Sequence, residues 1–228
     1  MKIIPVIDIL SAQAVSAYRG ERHRYRPRSS PLCRSPHPGD LLQAYLDLYP
    51  FTTVYIADLD AIQGTGDNLP LITELAREFP AVELWLDHGG DAVSGAADNI
   101  HPVLGTETGC SVQALDTAMA ADPRLLLSLD FDQHGLLGDA GILRQPPHWP
   151  RRCLVMTLAR VGAGSGPDTA LLQDLRARAP GHDFYAAGGV RDAGDLHALA
   201  TTGAAGALIA SALHSGAITR TDLQALQQ

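Results

Sequence analysis

Two aspartates stand where apolar runs stop. Asp8 closes Pro5-Val6-Ile7, and Asp130 closes Ser128-Leu129. A carboxyl group at the end of a buried strand is partly desolvated, which raises its pKa and suits it to proton transfer near neutrality. Two such groups across one cavity could act as base and acid on one substrate. The alternative is a pair of structural aspartates that hold loops. The symmetry described below favours catalysis. Asp58, Asp60, Asp87 and Asp132 are weaker candidates, Asp132 because it falls in the following loop, where a solvated position is expected.

A second set of residues suits an oxygen-rich anion. Ala187-Gly188-Gly189-Val190-Arg191 and Ile209-Ala210-Ser211-Ala212 each follow an apolar run. Glycine lets backbone N–H groups approach a ligand closely, and a helix start adds a favourable dipole. Gly188, Gly189, Ala210 and Ser211 are therefore candidate phosphate contacts, against the alternative that the glycines serve only tight turns. The counterpart earlier in the chain is His88-Gly89-Gly90 with Leu104-Gly105-Thr106, a candidate second anion site. His88 is either a ligand contact, an acid–base group or, as a lone histidine, a hydrogen-bonded structural residue. Thr157 could hydrogen-bond substrate, a catalytic carboxyl group, or only backbone. The stretch 19–39 is long, irregular and rich in arginine (Arg19, Arg22, Arg24, Arg26, Arg28 and Arg34). Guanidinium forks match phosphate and carboxylate, so on an acidic protein this is either an anion-binding loop or a solvated one.

These residues need elements to position them. Short apolar runs predict strands at 2–8, 52–58, 82–87, 102–105, 124–130, 152–158, 182–187 and 205–210. Helix-period stretches lie near 40–48, 68–79, 111–121, 167–179, 192–202 and 219–227. The Gly- and Ala-rich segment 91–99 has room for a short helix. Alternating strands and helices imply a parallel sheet. Gly64-Thr65-Gly66-Asp67-Asn68 leads through Leu71, Ile72 and Leu75 to Pro80, and Gly164-Ser165-Gly166-Pro167-Asp168 leads through Leu171, Leu172 and Leu175 to Pro180. Both enter an aromatic strand that ends in glycine, through Trp85 and Tyr185. Eight strands with such a repeat predict a closed (β/α)8 TIM barrel built from two duplicated half-barrels, about 1–120 and 121–228, in a single domain. In this architecture chemistry sits at the carboxyl ends of the strands, with phosphate after strands seven and eight.

Composition narrows the function classes. The chain has 228 residues, 46% of them hydrophobic, and a net charge of −8. That balance argues against a nucleic-acid partner, which needs a basic face. Cys33, Cys110 and Cys153 show no metal-ligand spacing, so a reduced cytoplasmic chain without a metal site is expected. No segment reads as a signal peptide or a membrane span. Lys2 is the only lysine, which leaves almost no candidate for Schiff-base chemistry.

Over nearly its whole length the sequence resembles the histidine-biosynthesis barrel family. The likeness is carried by IIPVIDI with Asp8, DLD at 58–60 followed by Gly64, Gly66 and Asn68, and LGT at 104–106. It continues through SLDFD with Asp130, Thr157, AAGGVRDAGDL and GAAGALIASALHSGAI. The nearer branch is the phosphoribosylformimino-aminoimidazole carboxamide ribotide isomerase. The resemblance implies a duplicated half-barrel and a two-phosphate ligand across its mouth. It implies Asp8 and Asp130 as the acid–base pair of an Amadori rearrangement, aminoaldose to aminoketose, without metal or organic cofactor. No obligate protein partner is implied.

The chain also departs from that pattern. It has Asp87-His88-Gly89-Gly90-Asp91 where the isomerase usually has GGGIR, Arg160-Val161-Gly162-Ala163-Gly164 where an acidic turn is usual, and Ala210 where glycine is usual. In this it is similar to the isomerase-like proteins of methanogens and methylotrophs whose genes accompany those for tetrahydromethanopterin-type cofactors. That likeness implies a related phosphorylated substrate. It leaves open a lyase or synthase of a pterin- or furan-type C1-cofactor pathway, or a non-catalytic phosphosugar-binding paralogue.

Overall fold

Eight short strands of β-branched and aliphatic residues can bury both faces only if they close on themselves and are covered outside by helices. That is the architecture of the computed structural model, which describes residues 1–90 and 97–226. The barrel strands are β1 (Lys2–Leu10), β2 (Thr53–Asp58), β3 (Glu83–Asp87), β4 (Ile100–Gly105), β5 (Leu126–Asp132), β6 (Arg152–Thr157), β7 (Asp183–Ala187) and β8 (Gly206–Ile209). Each pairs in parallel with the next, and β1 pairs with β8 in parallel, Lys2 opposite Gly206 and Pro5 opposite Ile209. The protein is a closed (β/α)8 TIM barrel.

The helices are α1 (Pro38–Leu48), α2 (Leu59–Ile62), α3 (Leu69–Glu78), α4 (Val112–Ala121), α5 (Thr169–Arg178), α6 (Ala193–Thr201), α7 (Ser211–His214) and α8 (Arg220–Ala225). Their apolar faces and the outer faces of the strands form one core, with Ile7, Leu42, Ile72, Leu127 and Leu196 fully buried. A second core fills the barrel interior with Ile4, Trp85, Leu126, Leu154 and Tyr185. The two aromatic residues noted in the sequence repeat meet there. Trp85 and Tyr185 pack edge to face, ring centroids 4.9 Å apart, a favoured aromatic geometry. At the amino end of the strands Glu83 joins Lys2, His101 and Arg152 at 2.8–3.1 Å. This network plugs the end of the barrel opposite the site.

Several boundaries differ from the sequence reading, each for a local reason. β1 runs two residues past Asp8, because Leu10 turns through Ser11 and Ala12 into an antiparallel strand, Gln13–Ser16. Ser11 and Ala12 both take left-handed backbone, φ 50° and 60°. The turn is pinned by Asp60 Oδ2, which accepts from Ser11 N at 2.6 Å, and by Asn68 Oδ1, which accepts from Ala12 N at 2.9 Å. Asn68 therefore does not cap α3 with its side chain, as a helix-start asparagine would, whereas Asp168 does cap α5 through Leu171 N. β5 likewise continues past Asp130 and folds back through Gly135–Leu136. The stretch 19–39 is not wholly irregular: Arg26–Pro27 pairs with Val15 and Ser16, which draws it over the barrel mouth. Within the segment expected to have room for a short helix, positions 91–96 lie outside the described residues.

Candidate active site

The carboxyl ends of the strands surround a cavity of about 810 Å³, within the size range of small-molecule sites. Asp8 of β1 and Asp130 of β5 both line it, on opposite sides of the barrel. Asp8 is partly exposed to the cavity. Burial pushes its pKa up to about 6, and the nearby Arg28 opposes that rise. Asp130 is 3% exposed. Burial and the neighbouring Asp87 push its pKa up to about 7 against the hydrogen bonds it accepts.

Asp130 is held tightly. Ser128 Oγ donates to Oδ1 at 2.5 Å, Thr106 Oγ1 donates to Oδ2 at 3.3 Å, and Glu107 N donates to Oδ2 at 3.0 Å. Thr106 Oγ1 also accepts from Asp130 N at 2.9 Å. Thr106 is fully buried and outside the cavity lining. It thus positions the carboxyl group, although the sequence reading had placed it among ligand contacts. Gly105 serves the same carboxyl group by lacking a side chain. A Cβ at Gly105 would stand 3.0 Å from Asp130 Oδ2 and 3.5 Å from Asp87 Oδ2.

Asp87, a weaker candidate in the sequence, shares the cavity with Asp8 and Asp130. It ends β3, is buried, and lines the same cavity. Burial pushes its pKa up to about 6 against the hydrogen bond donated by Gly89 N. Tyr55 donates its hydroxyl to Asp87 Oδ2 at 3.2 Å. The signal was the acidic residue at the close of an apolar strand, the same criterion that selected Asp8 and Asp130. Tyr25, Tyr55 and Glu107 also line the cavity and were not singled out. Glu107 is tied to Arg22, whose guanidinium donates to both carboxylate oxygens at 3.0 Å. This pair bridges the roof and the end of β4.

On the opposite side, Gly188, Gly189, Ala210 and Ser211 line the cavity, as does Arg19. Gly188 takes φ +102°, and a Cβ there would meet Thr157 O at 2.6 Å, so only glycine fits. The amides of Gly189, Val190, Ser211 and Ala212 donate to no internal acceptor among the described residues. Of the arginine cluster, Arg19, Arg22 and Arg28 face the cavity. Arg19 has left-handed backbone, φ 49°, fixed by its N–H to Val161 O at 2.8 Å. Arg24 instead lies 4.0 Å from the Tyr18 ring centroid and pairs with Glu21, and Arg26 donates to the carbonyls of His23 and Tyr25.

The structure places His88, Gly89, Gly90 and Thr157 outside the cavity lining. His88 Nδ1 meets the fully buried Asp58 Oδ2 at 3.1 Å. Gly89 packs against the backbone of Ala61, where a Cβ would come within 2.8 Å of its carbonyl oxygen. It borders a separate surface depression with Arg22, Gly64 and Thr108. Thr157 is buried beneath the mouth. Among the described residues no group of three or more His, Cys, Asp or Glu side chains could hold a metal ion. No helix there is long and apolar enough to cross a membrane.

With the geometry in place, known proteins give it a context. The family pattern described as histidine biosynthesis protein matches residues 150–219, the second-half loops included. An uncharacterized protein of Methanocaldococcus jannaschii is 29% identical over 224 residues, covering 96% of this chain and 95% of the relative. A phosphoribosyl imidazole-4-carboxamide isomerase of Thermus thermophilus is 27% identical, with 96% of each chain covered. Phosphoribosyl isomerase A of Streptomyces griseus is 28% identical, covering 96% of this chain and 95% of the relative. Over nearly its whole length the chain is thus similar to phosphoribosyl isomerases, and residues 150–219 match the histidine-biosynthesis pattern.

Proposed function

We propose that the protein is an isomerase that rearranges an aldose to a ketose on a phosphorylated small molecule, with Asp8 and Asp130 as the proton-transfer pair. The observation that carries this reading is that two carboxyl groups with pKa values raised toward neutrality line one cavity from opposite sides. A general acid or base works best when its pKa lies near the working pH. In the proposed reaction one group protonates the sugar ring oxygen and the ring opens to an imine or aldehyde. The other removes the C2 proton, and the enol formed collapses to the ketone. The electron pair of the broken C–H bond ends in the new C=C bond of the enol and then returns to carbon on reprotonation. Gly188, Gly189, Ala210 and Ser211 would hold the phosphate, with the free amides of Gly189 and Ser211 as donors and Arg19 lining the same cavity.

The experiment follows the proton. Asp8→Asn and Asp130→Asn are each expected to stop deuterium wash-in from solvent at C2 of a bound aminosugar phosphate, with melting behaviour kept. Full exchange in both variants would remove the mechanism.

One observation favours a second reading on the same barrel, a lyase or condensing reaction. Asp87 stands at a glycine position of the isomerase pattern and adds a third carboxyl group to the cavity. Quantitative turnover of the histidine-pathway aminoaldose by the purified protein would exclude it.

A further inference from the structure

The two halves of the mouth treat their backbone donors differently. In the first half, carboxylates of the protein itself take amides that would face an anion. Asp130 Oδ2 accepts from Glu107 N at 3.0 Å, and Asp87 Oδ1 accepts from Gly89 N at 3.2 Å. The arginine on that side, Arg22, is already paired with Glu107. A phosphate arriving there would meet Asp87 and Glu107 at short range, where like charges repel strongly because little water screens them.

The second half is the reverse. The amides of Gly189 and Ser211 have no internal acceptor among the described residues. Beside them a guanidinium faces the cavity. Arg28 is 9% exposed, lines the cavity, and its guanidinium meets no internal hydrogen-bond partner among the described residues. Its backbone N–H donates to Ala14 O at 2.7 Å, which fixes it under the roof. Its charge reaches both Asp8 of β1 and His214 at the end of α7, so it stands at the border of β1 and β8. A guanidinium that faces a cavity with its donors unused by the described residues is a ready contact for phosphate oxygens.

We infer that the cavity takes a ligand with one phosphate, bound on the side of β7, β8 and Arg28, with an uncharged or cationic group facing Asp87 and Glu107. The inference rests on the phosphorylated-substrate reading above and narrows it to monophosphates. The guanidinium of Arg28 forms a fork to the phosphate oxygens, and Asp87 and Glu107 exclude a second phosphate.

Calorimetric titration of the purified protein tests this without turnover, so it stands apart from the deuterium experiment. The probes are inorganic phosphate, ribose 5-phosphate and ribulose 1,5-bisphosphate. The expected result is one inorganic phosphate per chain, with the monophosphate bound at least as tightly as the bisphosphate. Arg28→Met should weaken phosphate binding by about tenfold or more, and Arg28→Lys by less. Asp87→Gly should raise affinity for the bisphosphate. Two phosphates per native chain, no phosphate bound, or a bisphosphate bound tenfold more tightly than the monophosphate would each overturn the inference. So would a folded Arg28→Met variant that binds phosphate like the native chain. Should that variant not fold, the count on the native chain decides alone.

Discussion

Asp130→Asn should change stability in a way that depends on pH, and the sign can be worked out in advance. Burial and Asp87 raise the folded-state pKa of Asp130 from 3.8 to about 7. Between those limits the folded state binds more protons than the unfolded state. Stability is therefore fully present below pH 4 and is lost as pH rises toward 7. At about 1.4 kcal/mol per pKa unit, the loss approaches roughly 4 kcal/mol by pH 8. Asparagine carries no charge and escapes that loss. It also fails to accept all the hydrogen bonds from Ser128, Thr106 and Glu107, a cost of about 1–3 kcal/mol for each orphaned donor that is independent of pH. The slope is thus the test, not the absolute value. Urea unfolding of both proteins between pH 4 and pH 8 should show the variant gaining on the native chain as pH rises, by a few kcal/mol in total. A difference that stays constant across this range would mean that Asp130 is charged throughout, and the acid–base reading would lose its physical basis.

Two further outcomes separate positioning from stability. Gly105 has ordinary extended backbone, φ −88°, so Gly105→Ala costs no backbone strain and should leave urea stability within about 1 kcal/mol. Its Cβ presses on Asp130 Oδ2, so C2 proton exchange should fall by about 100-fold, the usual scale for an ångström-sized misplacement; unchanged exchange would sever Gly105 from the site. His214 gives the opposite pH slope to Asp130. Burial and Arg28 push its pKa down to about 3, so its share of stability is present above pH 6.5 and is lost as pH falls toward 3. His214→Gln removes a ring held by Ser30 and Tyr45 at 2.8 and 2.9 Å. The variant should be less stable at pH 7 but lose less on acidification than the native chain, as thermal unfolding at pH 7 and pH 4.5 would show.

The fold was legible because its determinants are local. All eight runs named as strands are strands, since a barrel buried on both faces needs unalternating apolar runs and these stand out from their polar flanks. α3 and α5 begin at Leu69 and Thr169, one hundred positions apart, each just after its Gly-x-Gly stretch. That Asp8 and Asp130 reach the cavity was legible for the same reason, because both stand at the ends of apolar runs. What stayed hidden depends on long-range meetings. Nothing near Thr106 announces that its hydroxyl meets the Asp130 carboxyl group 24 residues later. Nothing near His88 announces that Asp58 holds it away from the cavity. The arginine cluster was visible as composition. Its division into Arg28 facing the cavity, Arg22 paired with Glu107 and Arg24 stacked on Tyr18 depends on how the hairpin folds over the mouth.

The surroundings of the two aspartates suggest how the proposed pair divides its labour. Asp8 lies within reach of Arg28, a fixed positive charge that opposes the effect of burial. Asp130 lies beside Asp87, which adds to the effect of burial. Two carboxyl groups in one cavity whose surroundings push their pKa values apart take different roles, the lower as base and the higher as acid. On the proposed mechanism Asp130 enters protonated and gives its proton to the ring oxygen, while Asp8 enters ionised and removes the C2 proton. Asp87 then acts by holding the proton on Asp130, not by touching the reacting atoms. This makes Asp87 a positioning residue with its own signature. Removing its charge by Asp87→Asn should lower the alkaline limb of the exchange rate by shifting the Asp130 titration toward acid, and should leave the acidic limb, set by Asp8, in place. A structural role for Asp87 would lower both limbs together. The same variant therefore distinguishes a carboxyl group that tunes the chemistry from one that merely props up β3.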